Sequence, residues 1–198
     1  MTTHIYSIKD TLLQKKDKEK LNGHKGLVFW MFGLSGSGKS TLARALEFDL
    51  YQKGIRTKLL DGDNLRTGVN SNLGFSAEDR QENIRRAAEV SKLFVENGEV
   101  VICSLISPTV EIRTRAKQIV GDVNFREIYI NASFDTCAKR DVKGLYKKAL
   151  AGEIKNFTGL DAPFEAAVDP FLEVNTEENK LEACSQLLLA RVLKEIEL

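Results

Sequence analysis

A glycine-rich loop directly after an apolar run constrains this chain more than any other feature. The segment GLSGSGKST follows the run GLVFWMF and fills the spacing G-x-x-x-x-G-K-[ST] with Gly33, Gly38, Lys39 and Ser40. Glycines allow consecutive backbone N–H groups to turn inward around a phosphate. A lysine at this spacing reaches the β- and γ-phosphates, and the hydroxyl that follows it binds Mg²⁺. Because a helical pattern comes next, we interpret the segment as a phosphate-binding loop (P-loop) between a strand and a helix.

The rest of the chain alternates short apolar runs with longer amphipathic segments. Continuous apolar strands separated by amphipathic helices are typical of a parallel sheet that is covered on both faces. The sequence therefore predicts an α/β protein with a mostly parallel five-stranded sheet and helices on both faces. The expected strands are 26–32, 57–61, 99–105, 125–131 and 171–175, and the expected helices lie near 39–53, 79–97, 109–120, 134–150 and 177–197.

Composition excludes several classes of protein. With 29% charged residues and a formal net charge of +1, the 198-residue chain has no excess of positive charge for coating a nucleic acid. It contains no apolar stretch of membrane-spanning length and no apolar core of a signal peptide. Its three cysteines, which include no CxxC pair, indicate reduced and buried thiols. We therefore expect a cytoplasmic protein with neither a membrane nor a nucleic-acid partner.

The chain divides into a short extension and one domain. Residues 1–22 are interpreted as an N-terminal extension in which the charge cluster KKDKEK, at 15–20, is solvated and loosely attached. Residues 23–198 form the domain. Within it, the stretch 152–170 is rich in Gly, Pro and other turn formers, and a loop of that length is often a functional lid.

A P-loop occurs in GTPase switches, in ATP-driven machines and in small-molecule kinases. The only match to the D-x-x-G of a GTPase is DVKG, at 141–144, which lies within a helical pattern, and NKLE lacks the aspartate of N-K-x-D. The strand at 99–105 ends without the acidic residue of a motor ATPase. Asp61 and Asp63 follow the second strand instead, in LDGDN. They are either an ordinary acidic turn or, at the carboxyl edge of a parallel sheet, groups that hold Mg²⁺ or accept a hydroxyl proton.

The stretch after these aspartates has the side chains that an anionic, aromatic acceptor would need. Ser76 and Asp79 have capping-box spacing, which predicts a helix from Ala77. Arg80 and Asn83 then lie one turn apart on the same face of the helix. Together with Arg66 they can bind an anion and the polar edge of a ring. The alternative is that they are surface residues that keep the protein soluble. Phe75, in a polar loop, is either a satellite core residue or a platform on which a base stacks.

Four segments together resemble the adenylylsulfate kinase family. They are FGLSGSGKST, LDGDNLRTGVNSNLGFSAEDRQENIRR, SLISP and RDVKGLYKKALAGEIKNFTGLDAPFE, and the resemblance runs from about Asn22 to the C-terminus. It implies the P-loop kinase fold and a reaction in which ATP and adenylyl sulfate give ADP and 3′-phosphoadenylyl sulfate (PAPS). Thr67 stands where many members have His, and Phe32 where many have Thr, which bears on fine tuning rather than on the reaction.

The resemblance also implies roles for individual residues. Lys39, Asp63 and Ser107 are the expected catalytic residues, and Ser40 and Asp63 are the expected Mg²⁺ ligands. A lid at about 140–165 is expected to close over the substrates, and the family commonly forms dimers, so we expect a homodimer. The residues expected on ATP are Gly33, Leu34, Ser35, Gly36, Ser37, Gly38, Lys39, Ser40, Thr41 and Arg140. Those expected on adenylyl sulfate are Asp61, Arg66, Phe75, Arg80, Asn83, Ile106, Ser107, Lys143, Gly144, Leu145 and Phe157.

Ser107 has two interpretations. In this family the matching serine has been described as a phosphorylated intermediate, whereas ISPTVEIRTRAK also predicts Ser107 as an N-cap with Pro108 at the first helical position. Since the sequence shows no adjacent base that would activate a serine, we favour direct in-line transfer, with Ser107 capping the helix and lining the pocket. Alternatives to the overall function are another nucleoside monophosphate or small-molecule kinase, or a non-catalytic nucleotide-binding relative.

Overall fold

The computed structural model describes His4 and residues 6–198, and its centre is a five-stranded parallel sheet. The strands are β1 (Val28–Phe32), β2 (Thr57–Asp61), β3 (Val100–Ser104), β4 (Phe125–Asn131) and β5 (Leu172–Asn175), in the spatial order β2-β3-β1-β4-β5. All five predicted strands are present, because each is a short run of residues that suit a buried sheet. β1 lies in the middle, so the loop that follows it opens at the centre of the sheet edge.

Eight helices are assigned within the described residues. They are α1 (Lys15–Asn22), α2 (Lys39–Gln52), α3 (Gly62–Arg66), α4 (Ala77–Glu96), α5 (Val110–Val120), α6 (Phe134–Arg140), α7 (Leu145–Leu150) and α8 (Leu181–Ile196), and two short 3₁₀ turns cover Lys9–Thr11 and Asp122–Asn124. None of the helices in this part of the chain is both long enough and apolar enough to cross a bilayer. Cys103, Cys137 and Cys184 are free and buried, as predicted.

Side chains from both faces of the sheet enter separate cores. Val28, Trp30 and Phe32 of β1 pack with α4 and α5, whereas Phe29 and Met31 pack with α2 and α8 on the opposite face. This alternation follows from the period of two along a strand, and it confirms helices on both faces. A third, smaller cluster joins α6 and α7 to Leu34 of the P-loop and to Phe157.

The predicted helix at 134–150 is wrong, because the structure divides it into α6 and α7. Gly144 adopts a φ of +66°, and the carboxylate of Asp141 accepts hydrogen bonds from the backbone N–H groups of Tyr146 and Lys147, each at 3.0 Å. The acidic side chain therefore caps a new helix in place of continuing the old one. The segment DVKG, interpreted as part of a helix, is the turn between the two.

Two other boundaries differ from expectation. The last helix begins at Leu181 rather than near 177, because the Asn175 side chain accepts from the backbone of Glu177 and Glu178 and forms a turn there. Residues 15–20, expected to be a solvated cluster, form most of α1. Glu19 is buried, and its carboxylate accepts a hydrogen bond of 2.8 Å from the N–H of Gly26.

Candidate active site

The P-loop connects β1 to α2 at the centre of the sheet edge. A Cβ at Gly33 would collide with the carbonyl oxygen of Ile130 in β4, so only glycine fits where the chain leaves β1. Gly38 immediately precedes α2 with a φ of +99°, again a conformation that suits glycine. Phosphate bound in this loop would meet the N-terminus of a fourteen-residue helix, which favours anions.

Lys39 is folded back into its own loop. Its Nζ donates to the carbonyl oxygens of Gly33 and Leu34, at 2.9 and 2.7 Å, and the side chain is almost completely buried. Burial lowers the pKa of Lys39 from 10.5 to about 8, although the carboxylates of Asp61 and Asp63 act in the opposite direction. The site is thus short of negative charge, and a triphosphate would supply it.

A cavity of about 990 Å³ adjoins the P-loop and extends over the carboxyl edge of the sheet. This volume is in the range of small-molecule sites. Gly33, Leu34, Ser37 and Gly144 of the expected site do not line it. The expected residues that line it are Ser35, Gly36, Gly38, Lys39, Ser40, Thr41, Asp61, Asp63, Arg66, Phe75, Arg80, Asn83, Ile106, Ser107, Arg140, Lys143, Leu145 and Phe157.

The oxygen atoms suited to a magnesium ion meet at the start of α2. Ser40 Oγ donates to Asp61 Oδ2 at 2.7 Å and lies 3.2 Å from Ser104 Oγ. Hydroxyl and carboxylate oxygens are the hard ligands that Mg²⁺ prefers, and Mg²⁺ usually adds phosphate oxygens and waters to one or two carboxylates. The donor set therefore fits Mg²⁺. Ser104 was not expected in the site, although its place at the end of β3 beside Asp61 could have indicated it.

Asp63 contacts the lid rather than Ser40. Its carboxylate forms an ion pair with Lys143, from the turn between α6 and α7, and its backbone N–H donates to Asp61 Oδ1 at 3.1 Å. The pairing of Ser40 with Asp63 around the metal therefore stays a prediction, since the contact made by Ser40 is with Asp61.

Two arginines give the cavity a positive wall. Arg66 Nη1 donates to the carbonyls of Leu73 and Gly74, and Arg80 donates to Thr158 Oγ1 at 2.8 Å and to the Asn156 carbonyl at 2.7 Å. Burial lowers the pKa of both guanidinium groups, and for Arg80 the charge of Arg66 adds to the effect. Their partners here are mainly neutral carbonyls, so an anionic ligand would compensate charge that the protein leaves in excess.

The two predicted aromatic residues line the cavity in different ways. Phe75 is 64% exposed, and the guanidinium of Arg66 lies 4.4 Å from its ring centroid. Phe157 is only 8% exposed and packs edge-on against Tyr146, with ring centroids 4.8 Å apart. Phe157 is therefore a residue of the small lid core as well as of the cavity wall, which its loop sequence did not indicate.

A buried asparagine that the sequence did not single out holds Asn83. Asn70 is fully buried, and its Nδ2 donates to Asn83 Oδ1 at 2.9 Å. With its oxygen occupied, Asn83 has its amide N–H groups left for the cavity. Asn70 lies in the quoted segment LDGDNLRTGVNSNLGFSAEDRQENIRR, but nothing local distinguishes it from a turn residue.

The predicted N-cap at Ser107 is wrong. An N-cap residue has an extended backbone, whereas Ser107 has a φ of +45°, and α5 begins at Val110 after Thr109, whose hydroxyl accepts from the N–H of Ile112. The Ser107 hydroxyl instead accepts a hydrogen bond of 2.9 Å from Trp30 Nε1, and the residue is 1% exposed.

Arg140 ties the lid to the P-loop. Its guanidinium donates to the carbonyls of Gly36 and Thr176, at 3.2 and 2.6 Å, and Thr176 Oγ1 in turn donates to the Ser37 carbonyl at 2.7 Å. Thr176 also lines the cavity and was missed by the sequence interpretation, because its only signal is that it follows the last strand.

Comparison with known proteins identifies the family. The sequence model of adenylylsulphate kinase matches residues 25–175. The chain belongs to the adenylylsulfate kinase family. It is 54% identical to the adenylyl-sulfate kinase of Phocaeicola vulgatus over 190 residues, which are 96% of this chain and 93% of that protein. Family membership confirms the predicted ATP-dependent phosphotransferase, an adenylyl-sulfate kinase with the P-loop kinase fold.

Solved structures of the family superpose on this chain. The APS kinase of Mycobacterium tuberculosis, in complex with AMPPNP and APS, has a TM-score of 0.82 at 40% identity and covers 85% of this chain and 98% of its own. A hexameric APS kinase from Thiobacillus denitrificans has a TM-score of 0.66 at 29% identity, over 88% of this chain and 30% of its own. Because that relative is a hexamer, the expected homodimer is not confirmed.

The buried state of Lys39 predicts proton uptake when ATP binds. At about pH 8.5 an amine with a pKa of about 8 is roughly three-quarters neutral. The phosphates of ATP would raise this pKa and draw a proton onto Lys39. Calorimetric titration in two buffers of different ionisation enthalpy should show an uptake of more than about half a proton per ATP.

The matched control is Lys39→Arg, whose guanidinium stays charged at this pH. It should bind ATP with almost no uptake. An equal uptake in both proteins would mean that another group takes the proton and that Lys39 is already charged.

Proposed function

We propose that the enzyme transfers the γ-phosphoryl group of ATP to the 3′-hydroxyl of adenylyl sulfate across this one cavity, giving ADP and PAPS. The observation that carries the proposal is that the P-loop lysine and the positive, aromatic wall of Arg66, Phe75 and Arg80 line the same cavity. One end suits a triphosphate, and the other suits an anionic adenosine derivative. The M. tuberculosis relative was solved in complex with AMPPNP and APS, which supports this proposal.

On the ATP side, the chain contributes charge and backbone donors. The P-loop N–H groups and Lys39 hold the β- and γ-phosphates, and the ammonium compensates charge as the γ-phosphoryl group is transferred. Ser40 and Asp61 are the residues that would hold Mg²⁺, and Asp63 is a further candidate on the same turn. When bound, Mg²⁺ neutralises phosphate charge. Arg140, which already donates to the P-loop, is assigned in this proposal to stacking on the base of ATP.

Asp63 is the proposed base for the acceptor hydroxyl. The 3′-oxygen forms a bond to the γ-phosphorus as the bond to the β–γ bridging oxygen breaks, the hydroxyl proton passes to Asp63, and ADP leaves. Lys143, which pairs with Asp63, lies in the lid, so the position of the base depends on the position of the lid.

Ser107 lines the pocket and is not the phosphoryl acceptor in this proposal. Its hydroxyl is buried against the indole of Trp30, whereas a serine nucleophile needs a base beside it. Direct transfer between the two nucleotides therefore needs fewer assumptions than a phosphoserine intermediate.

The acceptor is held by its charge and by its base. Arg66 and Arg80 exchange carbonyl partners for the phosphosulfate, and Asn83 donates to a polar edge of the nucleotide. Phe75 and Phe157 hold the adenine from opposite sides, with Phe157 rigidly supported by Tyr146. Residues of about 140–165 act as the lid, which excludes water during transfer.

The proposal also includes three expectations about domain boundaries, assembly and location. We retain residues 1–22 as an extension of a domain formed by 23–198, although α1 packs on that domain. A homodimer remains the proposed assembly, and the cytoplasm remains the proposed location, in keeping with the three free thiols.

Asp63→Asn tests the proposed base. With Mg-ATP and adenylyl sulfate, the wild-type enzyme should form PAPS, and the variant should lose at least about a hundredfold in kcat with a much smaller change in KM for adenylyl sulfate. An amide keeps the shape of the side chain but does not accept the proton.

Asp122→Asn, an exposed carboxylate outside the cavity, is the matched control and should keep full activity. If Asp63→Asn raised only KM, Asp63 would be a binding residue. If the wild type formed no PAPS, the proposed reaction would be wrong.

The two phenylalanines give a separate test of acceptor recognition. Base stacking on an aromatic ring contributes roughly 1–3 kcal/mol, so Ala at either position should weaken adenylyl sulfate binding about 5- to 150-fold and leave ATP affinity nearly unchanged. Phe157→Ala should also lower the free energy of unfolding by about 3 kcal/mol or more, because Phe157 is buried, whereas Phe75→Ala should not.

Phe48→Ala is the control for an exposed ring, since Phe48 is 61% exposed on α2 and does not line the cavity. Calorimetric titration with each nucleotide and thermal unfolding provide the measurements. Equal losses for ATP and adenylyl sulfate in Phe75→Ala would refute the two-sided clamp.

A further inference from the structure

We infer that Arg113 and Trp30, which do not line the cavity, are positioning residues that hold the acceptor wall in its binding conformation. The inference rests on the proposed function, since it concerns the acceptor half of that site. The wall is the segment 105–108 between β3 and α5, called here the acceptor loop, and all four of its residues line the cavity.

The acceptor loop contains a backbone conformation that needs support. Ser107 has a φ of +45°, and residues with a side chain adopt this left-handed region only at a cost in free energy. Such a conformation persists when surrounding contacts determine it. Ser107 is 1% exposed, so those contacts are with protein atoms rather than with solvent.

Arg113 supplies the first support. Its Nη1 donates to the Ser107 carbonyl at 3.0 Å, and its Nε donates to Glu127 of β4 at 2.6 Å. The guanidinium also lies 4.1 Å from the ring centroid of Phe32 in β1, and the side chain is only 2% exposed. One buried, planar group thus fixes the loop relative to two central strands, and its geometry has no equivalent in lysine.

Trp30 supplies the second support. Its Nε1 donates to Ser107 Oγ at 2.9 Å, and its ring is fully buried and packs against Phe125 at a centroid distance of 5.5 Å. The main chain and the side chain of Ser107 are therefore held by two different residues. Neither of them belongs to the sequence motifs that carry the reaction.

Loss of these supports should affect the two substrates unequally. If Ser107 relaxed to a negative φ, Ile106 and Pro108 on either side would move out of the acceptor wall. The hydrogen bond that joins this loop to the P-loop is long, 3.4 Å from the Gly33 N–H to the Ile106 carbonyl oxygen. ATP binding, which depends on the P-loop, should change little.

The experiment compares Arg113→Lys and Trp30→Phe with the wild type in steady-state PAPS formation. We expect KM for adenylyl sulfate to rise about tenfold in Arg113→Lys and about fivefold in Trp30→Phe, in the range for a lost buried hydrogen bond, with KM for ATP within about twofold. Trp30→Phe keeps a buried aromatic ring, so it carries the test if Arg113→Lys does not fold.

Val192→Ala is the control for general destabilisation. It shortens a fully buried side chain of α8 that packs on the opposite face of the sheet from Trp30 and does not line the cavity. It should lower thermal stability, because it leaves a cavity in the core, and leave both KM values unchanged.

A double-mutant cycle distinguishes positioning of Ser107 from a diffuse structural effect. Because Arg113 and Trp30 hold the same residue, the rise in KM for adenylyl sulfate in the Arg113→Lys, Trp30→Phe double variant should be smaller than the product of the two single rises. Equal rises in KM for ATP and KM for adenylyl sulfate would overturn the inference, and so would the absence of any rise in both variants. In either case, PAPS formation by the wild type would leave the proposed function intact. A wild type that formed no PAPS would overturn both.

Discussion

The active site depends on one backbone constraint, the departure of the chain from β1 into a loop with no room for side chains. Gly33 lies so close to the Ile130 carbonyl that the P-loop has a fixed position on the central strand. The N-terminus of α2, the buried Lys39 and the ends of β2 and β3 then surround the space that we propose for a triphosphate. The order of the strands, with β1 in the middle, puts this loop between the loops that follow β3 and β4.

Charge in the site is arranged before either substrate arrives. Lys39, Arg66 and Arg80 are desolvated and bonded largely to neutral carbonyls, and burial lowers the pKa of each. Arg113 differs, since it is almost fully buried but is paired with Glu127. We expect anionic ligands to compensate the charge of the first three cations. Arg113 is already paired with a carboxylate, which suits it to support the acceptor loop rather than to bind a ligand. Arginine therefore serves two purposes in this protein, and the difference is whether a carboxylate is hydrogen-bonded to the guanidinium, as Glu127 is to Arg113.

The sequence predicted what local patterns determine and missed what distant contacts determine. β2 and β4 match their expected bounds, and the start of α4 at Ala77 follows from Ser76 as its N-cap. The Ser107 N-cap failed because the serine hydroxyl bonds to Trp30, 77 residues away, and a capping pattern contains no information about such a partner. Likewise, neither the contact of Ser40 with Asp61 nor the burial of Phe157 against Tyr146 follows from spacing along the chain. The break between α6 and α7 had a local signal, because Asp141, shortly before Gly144, accepts hydrogen bonds from the first turn of α7. The helical periodicity of 134–150 nevertheless favoured one continuous helix in the sequence-based prediction.

The central claim is that the phosphoryl group passes directly from ATP to the acceptor, with Ser107 locked into the wall of the pocket. The most direct measurement is the stereochemical course at the γ-phosphorus, followed with ATP that is chiral there by isotopic labelling. A single in-line displacement predicts that PAPS forms with inversion of configuration. Retention would show two successive displacements through a phosphorylated enzyme and would contradict the structural role assigned to Ser107.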